Sequence, residues 1–152
     1  MLIRKILIVF SVLFLVQPCL TQQLPKEIKR YLDGNFRGWK LAGECYEKPI
    51  ENKRVLVGDF DGNKTNDYAV KFVRGKKGFF MAFLARGQKF KPYHLAIYTA
   101  DDAKFSDLIL LGKGEVYPEG TSRLKFDSPG NFRCESDVGA VHTFRKGKFI
   151  AY

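Results

Sequence analysis

The pattern of apolar and polar positions predicts one short helix followed by many short strands. Between Pro25 and Gly34, apolar residues recur at helical spacing and form one stripe with Leu24, at Ile28, Tyr31 and Leu32. A proline near the start and a glycine just past the end are typical of an amphipathic helix. A helix of about ten residues is marginal alone, so we expect it to pack on a sheet.

From Trp39 onward, short apolar runs alternate with glycine, proline and polar clusters, which is typical of strands and turns. The predicted strands are Trp39–Tyr46, Arg54–Phe60, Tyr68–Arg74, Phe79–Ala85, Tyr93–Tyr98, Leu108–Leu111, Arg123–Phe126, Val138–Phe144 and Lys148–Ala151. Arg74–Gly78 and Phe144–Phe149 carry hairpin signals, and Thr99–Phe105 is the connection that could hold a second helix. The predicted fold is α+β and mainly β: a short N-terminal helix packed on an antiparallel sheet of short strands.

The first 21 residues have the pattern of a signal peptide. Arg4 and Lys5 precede an apolar run of 11 residues, 6–16, and a polar break follows at Gln17-Pro18. A membrane-spanning helix needs roughly 17–25 apolar residues, so we expect export without a stable membrane span. Cys19 leaves a lipoprotein as the alternative. Removal of residues 1–21 leaves 131 of the 152 residues, so residues 22–152 are predicted to form one secreted or periplasmic domain.

The chain is basic. Its formal net charge is +10, and loss of Arg4 and Lys5 with the signal peptide lowers it to +8 because that segment has no acidic residue. A basic surface attracts polyanions over long range, so an anionic extracellular or cell-surface partner is predicted; solubility alone is the alternative. Export argues against a nucleic-acid partner.

Two cysteines remain after the predicted cleavage, Cys45 and Cys134. An even count in an exported protein favours a disulfide. A bridge closing a loop of about 90 residues stabilises a fold by up to roughly 4–5 kcal/mol in the chain-entropy model. Two separately buried thiols are the alternative.

The segment Asp59-Phe60-Asp61-Gly62-Asn63-Lys64-Thr65-Asn66-Asp67 carries the main candidate chemistry. Side-chain oxygens stand at its positions 1, 3, 5 and 9, and the Thr65 carbonyl stands at position 7, a spacing that suits calcium. An EF-hand is excluded because Lys64 and Val70 replace the glycine and glutamate that it requires at positions 6 and 12.

The flanking motifs are Gly58-Asp59-Phe60-Asp61-Gly62 and Asp67-Tyr68-Ala69-Val70. They resemble the calcium loops of FG-GAP and VCBS repeats, here present once, with Lys64 where those repeats usually carry glycine. The resemblance implies a loop between two strands that binds calcium through Asp59, Asp61, Asn63, the Thr65 carbonyl and Asp67. It covers about 15 residues, and one copy cannot close a propeller of four or more blades. The whole chain is more weakly similar to small exported bacterial proteins without an assigned activity.

Three alternatives compete for this segment. It could be a polar turn in which the aspartates cap backbone N–H groups, or magnesium could replace calcium. Asn63-Lys64-Thr65 is also an N-glycosylation sequon, and a glycan would remove Asn63 as a ligand. The nearest second copy of the loop, residues 127–131, lacks a carboxylate at position 3 and is interpreted as an ordinary turn.

Basic and aromatic residues interleave through 71–94, which we interpret as core aromatics with lysines in the turns. His94 and His142 have no neighbouring metal ligands and are interpreted as structural. No signature of a serine hydrolase, zinc hydrolase or phosphate-binding loop is present. The predicted function is therefore an exported binding module with a structural calcium loop, not an enzyme. The alternative is an extracytoplasmic hydrolase with an unrecognised carboxylate site.

Overall fold

The computed structural model describes residues 24–42, 54–116, 122–134, 136 and 138–152. These residues are mainly β. The helices are α1 (Lys26–Asn35) and α2 (Ala100–Lys104), and the strands are β1 (Lys40–Leu41), β2 (Val55–Gly58), β3 (Asp67–Arg74), β4 (Lys77–Arg86), β5 (Lys89–Thr99), β6 (Ser106–Leu111), β7 (Ser128–Arg133), β8 (Gly139–Arg145) and β9 (Lys148–Ala151).

The strands form two antiparallel sheets. In the first sheet the order is β1-β3-β4-β5, and β2 pairs with β3 on the same side as β1. β3 therefore has partners on both sides, as expected for the predicted central strand. The second sheet has the order β6-β7-β8-β9.

Helix α1 covers one face of the first sheet. Ile28 and Leu32 are fully buried and share a core with Phe72, Phe79 and Phe83 of β3 and β4. The predicted helix and its apolar stripe are confirmed in this segment, and it packs on a sheet as expected.

Strand β4 is buried on both faces. Phe79, Met81 and Phe83 belong to the core beneath α1, whereas Phe80 and Leu84 belong to a second core with Leu108 of β6. Successive side chains of a strand point to opposite faces of the sheet. The second sheet therefore covers the face of β4 that α1 leaves open, and the described residues form three layers.

The sequence predicted one sheet, and the structure has two. The physical reason lies in β4: a ten-residue helix covers only one face of an apolar strand, and the other face needs a second layer. The connection that could hold a second helix, Thr99–Phe105, contains α2, and the Thr99 side chain caps its N-terminus by accepting a 3.1 Å hydrogen bond from the Asp102 N–H.

Two predictions about the second sheet are wrong. The predicted strand Arg123–Phe126 forms only an isolated bridge, Val116 with Arg123, in the part that the structure describes. The predicted turn at 127–131 is instead the start of β7, which pairs with both β6 and β8. A Cβ at Gly130 would lie about 3.0 Å from Ile109 and Phe132 side-chain atoms, so glycine serves close packing there rather than a turn.

Some predictions lie outside the described residues. These are the signal peptide at 1–21 and Cys45, so export and the Cys45–Cys134 disulfide stay predictions. The helices of the described segments are all too short or too polar to cross a membrane.

Candidate metal centre

The predicted loop closes the hairpin between β2 and β3. Gly58 pairs with Asp67 at the end of the ladder, so residues 59–66 form the connection. Because Asp59 directly follows β2 and Asp67 begins β3, the hairpin brings the two ends of the loop together. One ligand oxygen from each of Asp59, Asp61 and Asp67 lies within 4.8 Å of the other two.

Asp67 is the innermost of the three carboxylates. It is fully buried, and its two oxygens accept hydrogen bonds from the Phe60 N–H at 2.8 Å and the Ala85 N–H at 2.7 Å. Burial raises the pKa of Asp67 to about 6; the two backbone bonds act against this shift, and the charges of Asp61 and Asp59 add to it. Burial, more than the neighbouring carboxylates, therefore disfavours the charged form of Asp67.

Asp59 shapes the loop backbone. Its Oδ1 accepts from the Gly62 N–H at 2.8 Å and its Oδ2 from the Lys64 N–H at 3.0 Å. Both residues adopt positive φ, 82° at Gly62 and 63° at Lys64. Lysine thus takes the left-handed backbone expected of glycine at this position, at a cost of roughly 1–2 kcal/mol.

Asp61 is held by a cation from the neighbouring hairpin. The Arg86 Nη1 lies 2.7 Å from its Oδ2 and also donates to the Ala85 carbonyl at 2.7 Å. The Asp61 side chain is 7% exposed and that of Arg86 is 42% exposed. Arg86 therefore partly neutralises the cluster, and a bound metal ion would compete with it for Asp61.

Asn63 and Thr65 interact with each other. The Asn63 Oδ1 accepts from the Thr65 N–H at 2.8 Å and from the Thr65 hydroxyl, and its Nδ2 donates to the Ala85 carbonyl at 3.3 Å. The sequence-predicted amide oxygen is therefore engaged in the turn, whereas the three predicted carboxylates form the cluster.

The donor set fits calcium in type and size. Carboxylate oxygens are ligands that calcium prefers, and its bonds of about 2.3–2.6 Å place opposite ligands roughly 4.6–5.2 Å apart. The three oxygens lie within 4.8 Å of one another, so one ion can contact all three. Each backbone hydrogen bond uses one lone pair of a carboxylate oxygen and leaves another for a metal.

Comparisons with protein-family models, curated proteins and solved structures find no match. The resemblance of the loop to FG-GAP and VCBS repeats therefore rests on the motif residues alone.

Sequence reasoning missed Asp127, which precedes β7 and links the residues around Lys113 to the β2–β3 loop by hydrogen bonds. Its Oδ2 accepts from the Asp59 N–H at 3.0 Å, its Oδ1 accepts from the Lys113 N–H at 3.0 Å, and its own N–H donates to the Asp59 carbonyl at 3.2 Å. Phe126 lies so close to Gly62 that a Cβ there would stand 2.1 Å from the ring. Beside these contacts is a cleft of about 240 Å³, lined by Asp59, Gly62, Lys64, Lys113, Phe126 and Asp127.

A second polar group lies between the sheets. Lys71 is fully buried, and its Nζ donates to the Ser106 carbonyl, to the Ser106 Oγ at 2.9 Å and to the Asn131 Oδ1 at 3.2 Å. Burial lowers the pKa of Lys71 to about 8, partly opposed by the charge of Asp107. A serine–lysine pair can support nucleophilic catalysis. Here Ser106 is only 4% exposed, so a substrate has no access and the pair serves to connect the sheets.

Proposed function

We propose that this protein is an exported binding module whose β2–β3 loop is ordered by one calcium ion. The observation that carries the proposal is the group of carboxylate oxygens of Asp59, Asp61 and Asp67 within 4.8 Å of one another. The motif resemblance supports the same ion independently of this distance. In the proposed arrangement, the calcium is structural.

Residues of the β2–β3 loop and of the start of β3 would supply the protein ligands of the ion. Asp67 provides the fixed inner ligand because two backbone N–H groups hold its oxygens. Asp59 and Asp61 provide outer ligands, with the Thr65 carbonyl completing the predicted set and Asn63 available after release from Thr65. A divalent ion offsets the repulsion among three carboxylates and stabilises the folded state by mass action.

The proposal also covers processing of the signal peptide, the disulfide and the class of partner. After signal cleavage, α1 would be the N-terminal element of an α+β domain, and the Cys45–Cys134 bridge would fasten it in an oxidising compartment. The high positive charge supports an anionic extracellular or cell-surface partner. Protein recovered from outside the cytoplasm should begin near residue 22, whereas an intact residue 1 in that fraction would contradict processing.

Calorimetric titration of metal-free protein tests the loop directly. We expect one calcium ion per chain, clearly weaker magnesium binding, and loss of calcium binding in Asp59→Asn. Asp101→Asn is the matched control, because Asp101 is an exposed carboxylate in α2. No calcium heat at millimolar concentration, or equal affinities in the two variants, would reject the metal site.

A further inference from the structure

Six exposed lysine and arginine side chains surround the turns of two hairpins. We call this set the basic rim; its members are Lys89, Lys91, Lys125, Arg145, Lys146 and Lys148. Lys89 and Lys91 follow the β4–β5 turn, and three others form the β8–β9 turn. Lys125 precedes β7.

Contacts between the sheets place both turns at the same end of the molecule. The ring of His142 lies 5.5 Å from Phe80, and two residues further along β8 the ring of Phe144 lies 5.7 Å from Tyr93. Phe80 pairs with Ala96 of β5, so Tyr93 is nearer the β4–β5 turn. The direction along β8 from His142 to the β8–β9 turn is therefore the direction along β5 from Ala96 to the β4–β5 turn, so both turns lie at one end.

Further contacts join the members of the rim. The Lys91 Nζ lies 5.2 Å from the centre of the Tyr93 ring, which also contacts Phe149 at 5.5 Å. Lys125 and Arg145 line one small cavity together. Residues of both sheets therefore contribute to the rim at one end of the molecule.

No rim residue forms an ion pair with an acidic side chain within the described segments. The ion pairs there are Arg86–Asp61 and Lys104–Asp101, neither of which includes a rim residue. The sequence has no aspartate or glutamate from 68 to 100 or from 138 to 152. Clustered like charges repel one another and gain from an anionic partner.

The surroundings of the rim decide which polyanion fits. The turns Arg86-Gly87-Gln88-Lys89 and Arg145-Lys146-Gly147-Lys148 carry no apolar side chain to enter a bilayer. The nearby rings of Tyr93, Phe144 and Phe149 contact one another edge to face, and Lys91 lies over Tyr93. These rings therefore do not form a stack of free faces of the kind that single-stranded nucleic acid uses.

We infer that the basic rim binds a linear anionic polysaccharide, whose sulfate or carboxylate groups pair with the lysine and arginine side chains. The inference rests on the proposed function as an exported binding module and names its partner class and surface. A flexible chain can follow both turns and make several weak, salt-sensitive pairs at once.

Heparin is a suitable probe, with the purified protein and two triple variants. The rim variant carries Lys89→Gln, Lys146→Asn and Lys148→Gln; asparagine suits the positive φ of 48° at position 146. The matched control carries Arg74→Gln, Lys76→Gln and Lys77→Gln in the exposed β3–β4 turn at the other end of the first sheet. Both variants lose three positive charges.

We expect the rim variant to bind heparin about tenfold or more weakly at 0.15 M salt, and the control to stay within about twofold of the parent protein. The slope of log affinity against log salt should fall by about two to three for the rim variant alone. Equal losses in both variants, or tighter binding of anionic vesicles or DNA than of heparin, would overturn the inference. Absence of heparin binding by the parent protein at 0.15 M salt would also overturn it. Calcium titration of the same samples reports on the β2–β3 loop, so the two proposals fail separately.

Discussion

The Arg86 guanidinium lies 2.7 Å from the Asp61 carboxylate, so the candidate metal centre already contains a cation of the protein itself. This pair links the β4–β5 hairpin to the β2–β3 loop. Calcium therefore has to displace Arg86 from Asp61 or share the Asp61 carboxylate with it.

Arg86→Gln should therefore tighten calcium binding. Only the Arg86 side of this pair is exposed, at 42%, and an ion pair open to solvent is worth about 0.2–1 kcal/mol. This corresponds to a gain of up to about fivefold in affinity by calorimetry. Arg74→Gln removes the same charge from the exposed β3–β4 turn and should leave the affinity unchanged. Weaker calcium binding in Arg86→Gln would show that Arg86 supports the site and does not compete with the metal.

Lys64 should lower both the stability of the calcium-free protein and its affinity for calcium, and two variants separate these effects. Lys64→Gly relieves the cost of φ 63° and should raise the free energy of unfolding without calcium by roughly 0.5–1 kcal/mol, after the entropy cost of glycine. Lys64→Gln keeps that backbone cost and should leave this free energy unchanged. Both variants remove the cation and should bind calcium more tightly. Denaturant unfolding and calorimetry measure the two effects; equal stability of Gly and Gln variants would refute the backbone cost.

The pH dependence of stability should contain two opposing contributions in the acid range. The pKa of Asp67 rises from 3.8 to about 6 on folding, so the folded state binds the proton more tightly and stability falls as pH rises through this window. The pKa of His142 is lowered by burial from 6.5 to about 4, so its contribution to stability rises with pH between those values. Calcium should shift the Asp67 titration to lower pH, because a metal ion favours the carboxylate.

Two variants separate these contributions. In calcium-free urea unfolding between pH 4 and 6.5, Asp67→Asn should gain stability with rising pH more steeply than the parent protein. His142→Leu should gain less, or lose stability. Parallel profiles for all three proteins would contradict the assigned titrations.

Lys71 should make the protein more stable at alkaline pH. The unfolded chain holds this proton up to its ordinary pKa of 10.5, whereas the folded state releases it near 8. The free energy of unfolding should therefore rise between pH 8 and 10, toward a total of about 3 kcal/mol at higher pH. Lys71→Met should remove that rise, as followed by urea unfolding. Beyond pH 10 the Tyr98 hydroxyl acts against it, because burial raises its pKa to about 12.

The sequence predicted the local features of this fold well. The stripe Ile28–Leu32, the central strand β3 and both hairpin turns follow from spacing and turn residues, which act over a few positions. The two-sheet arrangement did not follow, because the burial of β4 on both faces depends on where β6–β9 pack. Strand β7 was missed for the same reason: its Pro129 and Gly130 have turn-like composition, and only pairing with β6 and β8 makes them a strand.

The candidate site divides in a similar way. The three carboxylates lie in one loop, so spacing alone predicted their convergence. Arg86 and Asp127 reach the loop from 25 and 66 residues beyond Asp61 in the chain, and no local pattern indicates such contacts. The nearest sequence signal was the interpretation of 127–131 as a turn, which was wrong and gave Asp127 no partner.

The melting temperature with and without calcium tests the central claim most directly. If calcium at ten to a hundred times its Kd binds only the folded state, it adds about 1.4–2.7 kcal/mol of stability, which predicts a rise of roughly 3–10 °C over EDTA. Asp61→Asn should abolish the rise, and Asp101→Asn should keep it. An unchanged melt in millimolar calcium, or the same rise in both variants, would contradict a calcium-ordered loop at Asp59–Asp67.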